Sequence, residues 1–258
     1  MAARVRRYND APAWPAPMST RRSMSPSRSM NPGVADLGRI LYEPGAVFAG
    51  LKTRHSAWLP LLAFLVLQSA VAYWWVATAD FAWQRQQMTA GVPGLAPQGQ
   101  AALETTIAPT PMMITLQLGL VFGTLAAYAV QACYFLVAGK ALDADVRLRQ
   151  WFAFVSWVNV PKLLLLPLMA LQIAVSDGRV TLEDLNLASL ASLLRMDEAN
   201  PWHGLAAGLD FTTVWSIVLA TIGLRVWTGC GARAAAVTAV LPYAVIYGVW
   251  AAWIVLFS

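Results

Sequence analysis

Lys162 stands in "NVPKLLLLP", residues 159–167, within a run that is otherwise apolar. An ionisable group at membrane depth marks a functional position by default, because an unpaired charge there is costly. Asn159, Pro161 and Lys162 together form a polar break, and irregular backbone at that depth is tolerated where it lines a cavity. Asp210, near the outer end of the next apolar segment, is the available counter-charge. Two placements of Lys162 follow. If its helix begins at Trp151, Lys162 lies eleven residues in, about 16 Å at the usual rise and near mid-bilayer. Alternatively, "RLRQWFAFVSWVNV" lies along the cytoplasmic interface, Pro161 redirects the chain, and Lys162 snorkels as an anchor. The kink-plus-anchor placement is preferred.

Other reactive residue types form no constellation. His55 and His203 fall on opposite expected sides of the membrane and read as interfacial. Asp143 and Asp145 sit beside Arg147 and Arg149, as in a solvated turn. Glu183 and Asp184 read as helix-start charges. Cys133 reads as a small apolar packer and Cys230 as a free thiol, neither in the basic setting of an activated thiolate. No catalytic, cofactor-binding or metal-binding set is assigned. Gly119 with Gly123, and Gly204 with Gly208, have the small-residue spacing that lets helices approach closely.

The elements that must hold these residues are membrane helices. Of 258 residues, 58% are hydrophobic and 12% charged, with mean hydropathy +0.55. That profile excludes an ordinary soluble domain. Five spans are expected, at 58–79, 112–139, 151–175, 208–227 and 234–257, giving an all-α polytopic bundle over 58–258. The fourth is short and carries Arg225, which must reach an interface.

Lys and Arg number fourteen in the N-terminal segment, the second loop and the fourth, against three in the loops between. The positive-inside rule then puts the N-terminus in the cytoplasm and the C-terminus outside. Trp58, Trp74, Trp75, Trp83, Trp151, Trp202, Trp227, Trp250 and Trp253 fall at or near span ends, where indoles favour the interface. The net charge of +5 is thus topological, adds attraction to anionic lipid, and predicts no nucleic-acid partner.

Residues 1–33, rich in Pro, Ser and Arg, are expected to be disordered; Met18, Met24 and Met30 are alternative starts. Residues 34–57 read as an amphipathic cytoplasmic surface segment with a short helix that stops near Pro44. Its candidate contact residues are Ile40, Leu41, Tyr42, Pro44 and Phe48. In the third loop, "TLEDLNLASLASLL" predicts a short helix capped by Thr181, with Asp184 three residues on.

Three stretches carry a family resemblance: "ILYEPGAVFAGL" before the first span, "WVNVPKLL" after the basic second loop, and "LDFTTVWSIVLATIGLRV" in the fourth. With Asp210, Phe211, Trp215 and Gly223, they make residues 37–257 resemble a bacterial member of the Yip family, the Ypt/Rab-interacting membrane proteins. The resemblance implies a five-helix membrane fold with a cytoplasmic N-terminus. The eukaryotic branch binds prenylated small GTPases, but its aromatic-acidic tail pattern is absent here, so that activity is not carried over. The expected function is a non-enzymatic, multi-pass scaffold or adaptor of the bacterial inner membrane. Its partners would be membrane lipid, an unidentified protein and a second copy of the chain. The alternative is a small transporter or channel with a polar route near Asn159, Lys162 and Asp210.

Overall fold

The computed structural model describes residues 33–54, 56–90, 98–99, 107–197 and 199–257. The expected tail before Gly33, and His55, lie outside them. Five helices are long and apolar enough to cross a membrane, and the fold is an all-α bundle with no strand among the described residues. The first crossing is α3 (Trp58–Thr78) and the second α5 (Pro109–Ala141). The third is divided into α6 (Leu148–Val158), a 3-10 turn (Val160–Leu164) and α7 (Leu165–Val175). The fourth is α10 (Phe211–Thr228) and the fifth α11 (Ala232–Phe257). At 33 residues, α5 is about 50 Å long, well beyond a hydrocarbon core of about 30 Å.

Shorter helices close the two ends. α1 (Val34–Arg39) and α2 (Pro44–Arg54) precede the first crossing. Pro44 therefore starts a helix where the sequence suggested an end, since a proline's missing N–H costs nothing in a first turn. α4 (Phe81–Ala90) follows the first crossing and was not anticipated. Asp80 caps it, its Oδ1 accepting from the backbone N–H groups of Ala82 and Trp83 at 3.1 and 3.0 Å.

The third loop also departs from expectation. Thr181 and Asp184 do pair, with Asp184 N donating to Thr181 Oγ1 at 3.2 Å. However, turns follow them, and the helix is only α8 (Leu190–Leu194), capped by Ser189. α9 (His203–Ala207) then leads into the fourth crossing.

The main core lies at the α2 end and is strongly aromatic. Phe48, Phe135, Trp151, Phe154 and Trp227 pack with ring centroids 5.1–5.9 Å apart, pairs worth about 0.5–1.5 kcal/mol each beyond their burial. α6 is enclosed by this core: Trp151 and every residue from Ala153 to Val158 are buried. Its apolar residues are therefore covered by protein and not by a lipid surface, although the segment lies at the end of the bundle, level with the start of α3. Leu148 and Arg149 at its start stay exposed, and the apolar stretch that follows finds its partners inside the protein.

Candidate functional site

The third crossing breaks because Pro161 has no N–H and its ring crowds the carbonyl four residues before it. The chain tightens into the 3-10 turn, where Lys162 N donates to Asn159 O at 3.1 Å. Asn159 is buried. Its Nδ2 donates to Val155 O at 2.9 Å and Gln131 Oε1 at 3.2 Å, while Oδ1 has no partner.

Two bonds fix the depth of the break. Trp157 Nε1 donates to Ser56 O at 2.8 Å, level with the start of α3. At the other end, Asp80 N donates to Gly178 O at 2.9 Å, just beyond α3 and α7. The two crossings therefore run parallel and in register. Lys162, five residues past Trp157, sits about 8–10 Å inside the α2 end.

Lys162 makes no ion pair or hydrogen bond with its side chain among the described residues. It lines a partly open cavity of about 230 Å³ between α3, α5 and α7. Asp210 acts on its charge from beyond ion-pair distance but is otherwise committed. Asp210 caps α10, accepting from Thr213 N at 2.8 Å, Thr212 Oγ1 at 2.6 Å and Thr213 Oγ1 at 3.2 Å. Its second oxygen accepts from Asn186 Nδ2 at 3.2 Å. Asp210 thus stands between α9 and α10, at the start of the fourth crossing, where four hydrogen bonds hold its carboxylate. Asn159 and Lys162 are joined through the backbone of the turn, but among the described residues no side-chain hydrogen bond links Asn159, Lys162 and Asp210.

The candidate contact segment is divided by burial. Ile40 and Phe48 are fully buried, Leu41 and Pro44 half-buried, and Tyr42 is 73% exposed. Ile40 and Phe48 are therefore core residues and not contact residues. The segment's apolar face is covered by α6 and α10 instead of lipid headgroups. Sequence reasoning missed the residues that lock it there. Trp227 Nε1 donates to Phe48 O, and Lys52 Nζ donates to Trp227 O, each at 2.9 Å.

Gly119 and Gly123 are exposed, and a Cβ added at either would meet nothing within 4 Å. They make no close helix contact among the described residues. His203 is buried, with Nδ1 3.9 Å from Glu183 Oε2. Cys133 is exposed and Cys230 half-buried.

The family model for the Yip1 domain matches residues 38–253. This chain belongs to the Yip1-domain family. No curated protein and no solved structure matches it. The Yip1 match runs from the end of α1 nearly to the end of α11, so it takes in the α2 lock, the break at Pro161 and the five crossings. The protein is thus a multi-pass membrane protein of the Yip family.

Proposed function

We propose that this Yip-family protein is a non-enzymatic scaffold that docks a partner's transmembrane helix on the outward face of α5. The observation that carries this is a row of small residues spaced four apart. Gly119 and Gly123 are exposed with open space above them, and Thr115 and Ala127 extend the row, both exposed. Such a face lets a second backbone approach closely. Only 17% of the most apolar stretch of α5 is buried by its own chain. The Yip1 family is not a known enzyme family. In this reading the basic α2 end and the N-terminus face the cytoplasm of a bacterial cell, with the bundle in its inner membrane.

The test is cross-linking in native membranes. Thr115→Cys in a Cys133→Ala, Cys230→Ala background should give one defined oxidised adduct, with a second copy or another protein. Gly123→Ile should remove it. No adduct at any outward position of α5 would sink the reading.

A second reading, a small transporter or channel, draws on the break in the third crossing, since a discontinuous helix can line a substrate path. Lys162→Cys in the same background separates the two. Labelling by an impermeant reagent from both faces would favour transport; labelling from the α2 face alone would leave the scaffold standing.

A further inference from the structure

The cavity beside Lys162 is polar at one end only. Along α7 its lining runs from Lys162 through Leu165 to Met169, about 10 Å by helix rise. Along α3 it runs in the same direction, from Phe64 past Gln68. Lys162 therefore stands at the α2 end, and the wall beyond it is almost wholly hydrocarbon. The Gln68 amide nitrogen is already spent on Thr124 Oγ1 at 3.1 Å and Leu120 O at 3.4 Å. Among the described residues Lys162 is the one cation in this lining, and none of them gives it a counter-ion within ion-pair distance.

We propose that this cavity binds a phospholipid of net negative charge from the leaflet at the α2 end. One acyl chain would lie along α3 and α7, and the headgroup phosphate would accept hydrogen bonds from the Lys162 ammonium. Size and chemistry both point this way. Apolar cavities of about 150 Å³ stay free of water and take apolar guests, and this one, about 230 Å³, is larger and partly open. An ammonium has three donors and, at this depth, needs an anion. A lipid phosphate provides one without drawing Asp210 out of its cap. The order of cation then hydrocarbon, read inward from the α2 end, matches the order of headgroup then chain in that leaflet.

The experiment uses the full chain, reconstituted in vesicles of equal dioleoyl phosphatidylglycerol and dioleoyl phosphatidylcholine, with added oleate. The protein is extracted in mild detergent and its retained lipid identified by native mass spectrometry. Wild type should retain phosphatidylglycerol over phosphatidylcholine. Lys162→Leu should lower that retention roughly five- to tenfold, the weight of one cation near the lipid surface or somewhat more, and Lys162→Arg should keep it. Ala72→Phe, which fills the hydrocarbon part, should lose the lipid with Lys162 intact. The exposed Arg149→Gln should retain it. Unchanged retention in Lys162→Leu would overturn the proposal, as would equal retention of both phospholipids, retention of oleate in their place, or an equal loss in Arg149→Gln.

Discussion

Trp227 and Phe48 are joined by a buried hydrogen bond, indole Nε1 to backbone carbonyl, at 2.9 Å. One turn further along α2, Lys52 Nζ returns the contact, donating to the carbonyl of Trp227 at 2.9 Å. That carbonyl lies in the last turn of α10, among the groups a helix leaves without an internal partner. A cation there also meets the negative end of the helix dipole. One tryptophan thus ties the segment before the first crossing to the end of the fourth.

Trp227→Phe keeps most of the packing and removes the donor. Thermal unfolding of the purified protein should show a loss of about 1–3 kcal/mol, the cost of leaving a buried partner unsatisfied. Trypsin should also cut sooner after Lys52 and Arg54. Lys52→Met should cost less, about 0.5–1 kcal/mol, because Lys52 is exposed. Unchanged proteolysis in Trp227→Phe would show that packing alone holds α2 in place.

Gly223 lies where α10 passes the aromatic core. A Cβ there would stand 2.5 Å from the ring of Phe154 and 3.0 Å from that of Phe48. Gly223→Val should therefore destabilise the fold by about 1–3 kcal/mol through overpacking. Phe48→Leu in the same chain should recover part of the loss, read as a coupling in a double-mutant cycle. Strict additivity of the two substitutions would show that the rings move aside freely.

The five crossings were legible because length and apolar content alone decide whether a segment can span. The break at Pro161 was also legible, since proline's effect on a helix is local. What escaped was non-local. Trp157 and Ser56, which set the depth of Lys162, are 101 residues apart. Phe48 and Trp227, which bury α2, are 179 apart. An amphipathic helix looks the same in sequence whether lipid or protein covers its apolar face, so Ile40 and Phe48 read as surface contacts. Asp210 looked like a counter-ion for Lys162 because its type was visible, while the donors that satisfy it were not. Asn186, 24 residues earlier, gives no such signal. α4 was missed although Asp80 is a good cap, because "FAWQRQQM" has no strong apolar periodicity.

Asp210 offers a direct test of cap against ion pair. Asparagine caps a helix about as well as aspartate but carries no charge. If the cap is what matters, Asp210→Asn should stay close to wild type, and Asp210→Ala should lose about 0.5–2 kcal/mol in thermal unfolding. If a charge pair with Lys162 dominated, Asn would be as damaging as Ala. The bonds from Thr212, Thr213 and Asn186 predict the first result.

At the opposite end of the bundle, Asp80 makes local stability depend on pH. Its carboxyl is held below the ordinary aspartate range, first by the backbone N–H of Trp83 and then by the Arg179 guanidinium, 3.3 Å away. A carboxylate whose folded value is depressed contributes stability that is fully present above its unfolded value, about 3.9, and is lost as pH falls through the folded value. Hydrogen exchange should therefore show the first turn of α4 opening as pH drops below about 4. Asp80→Asn keeps a cap but removes the titrating charge, so it should flatten this dependence between α3 and α4. An unchanged acid profile in Asp80→Asn would assign the opening to another group.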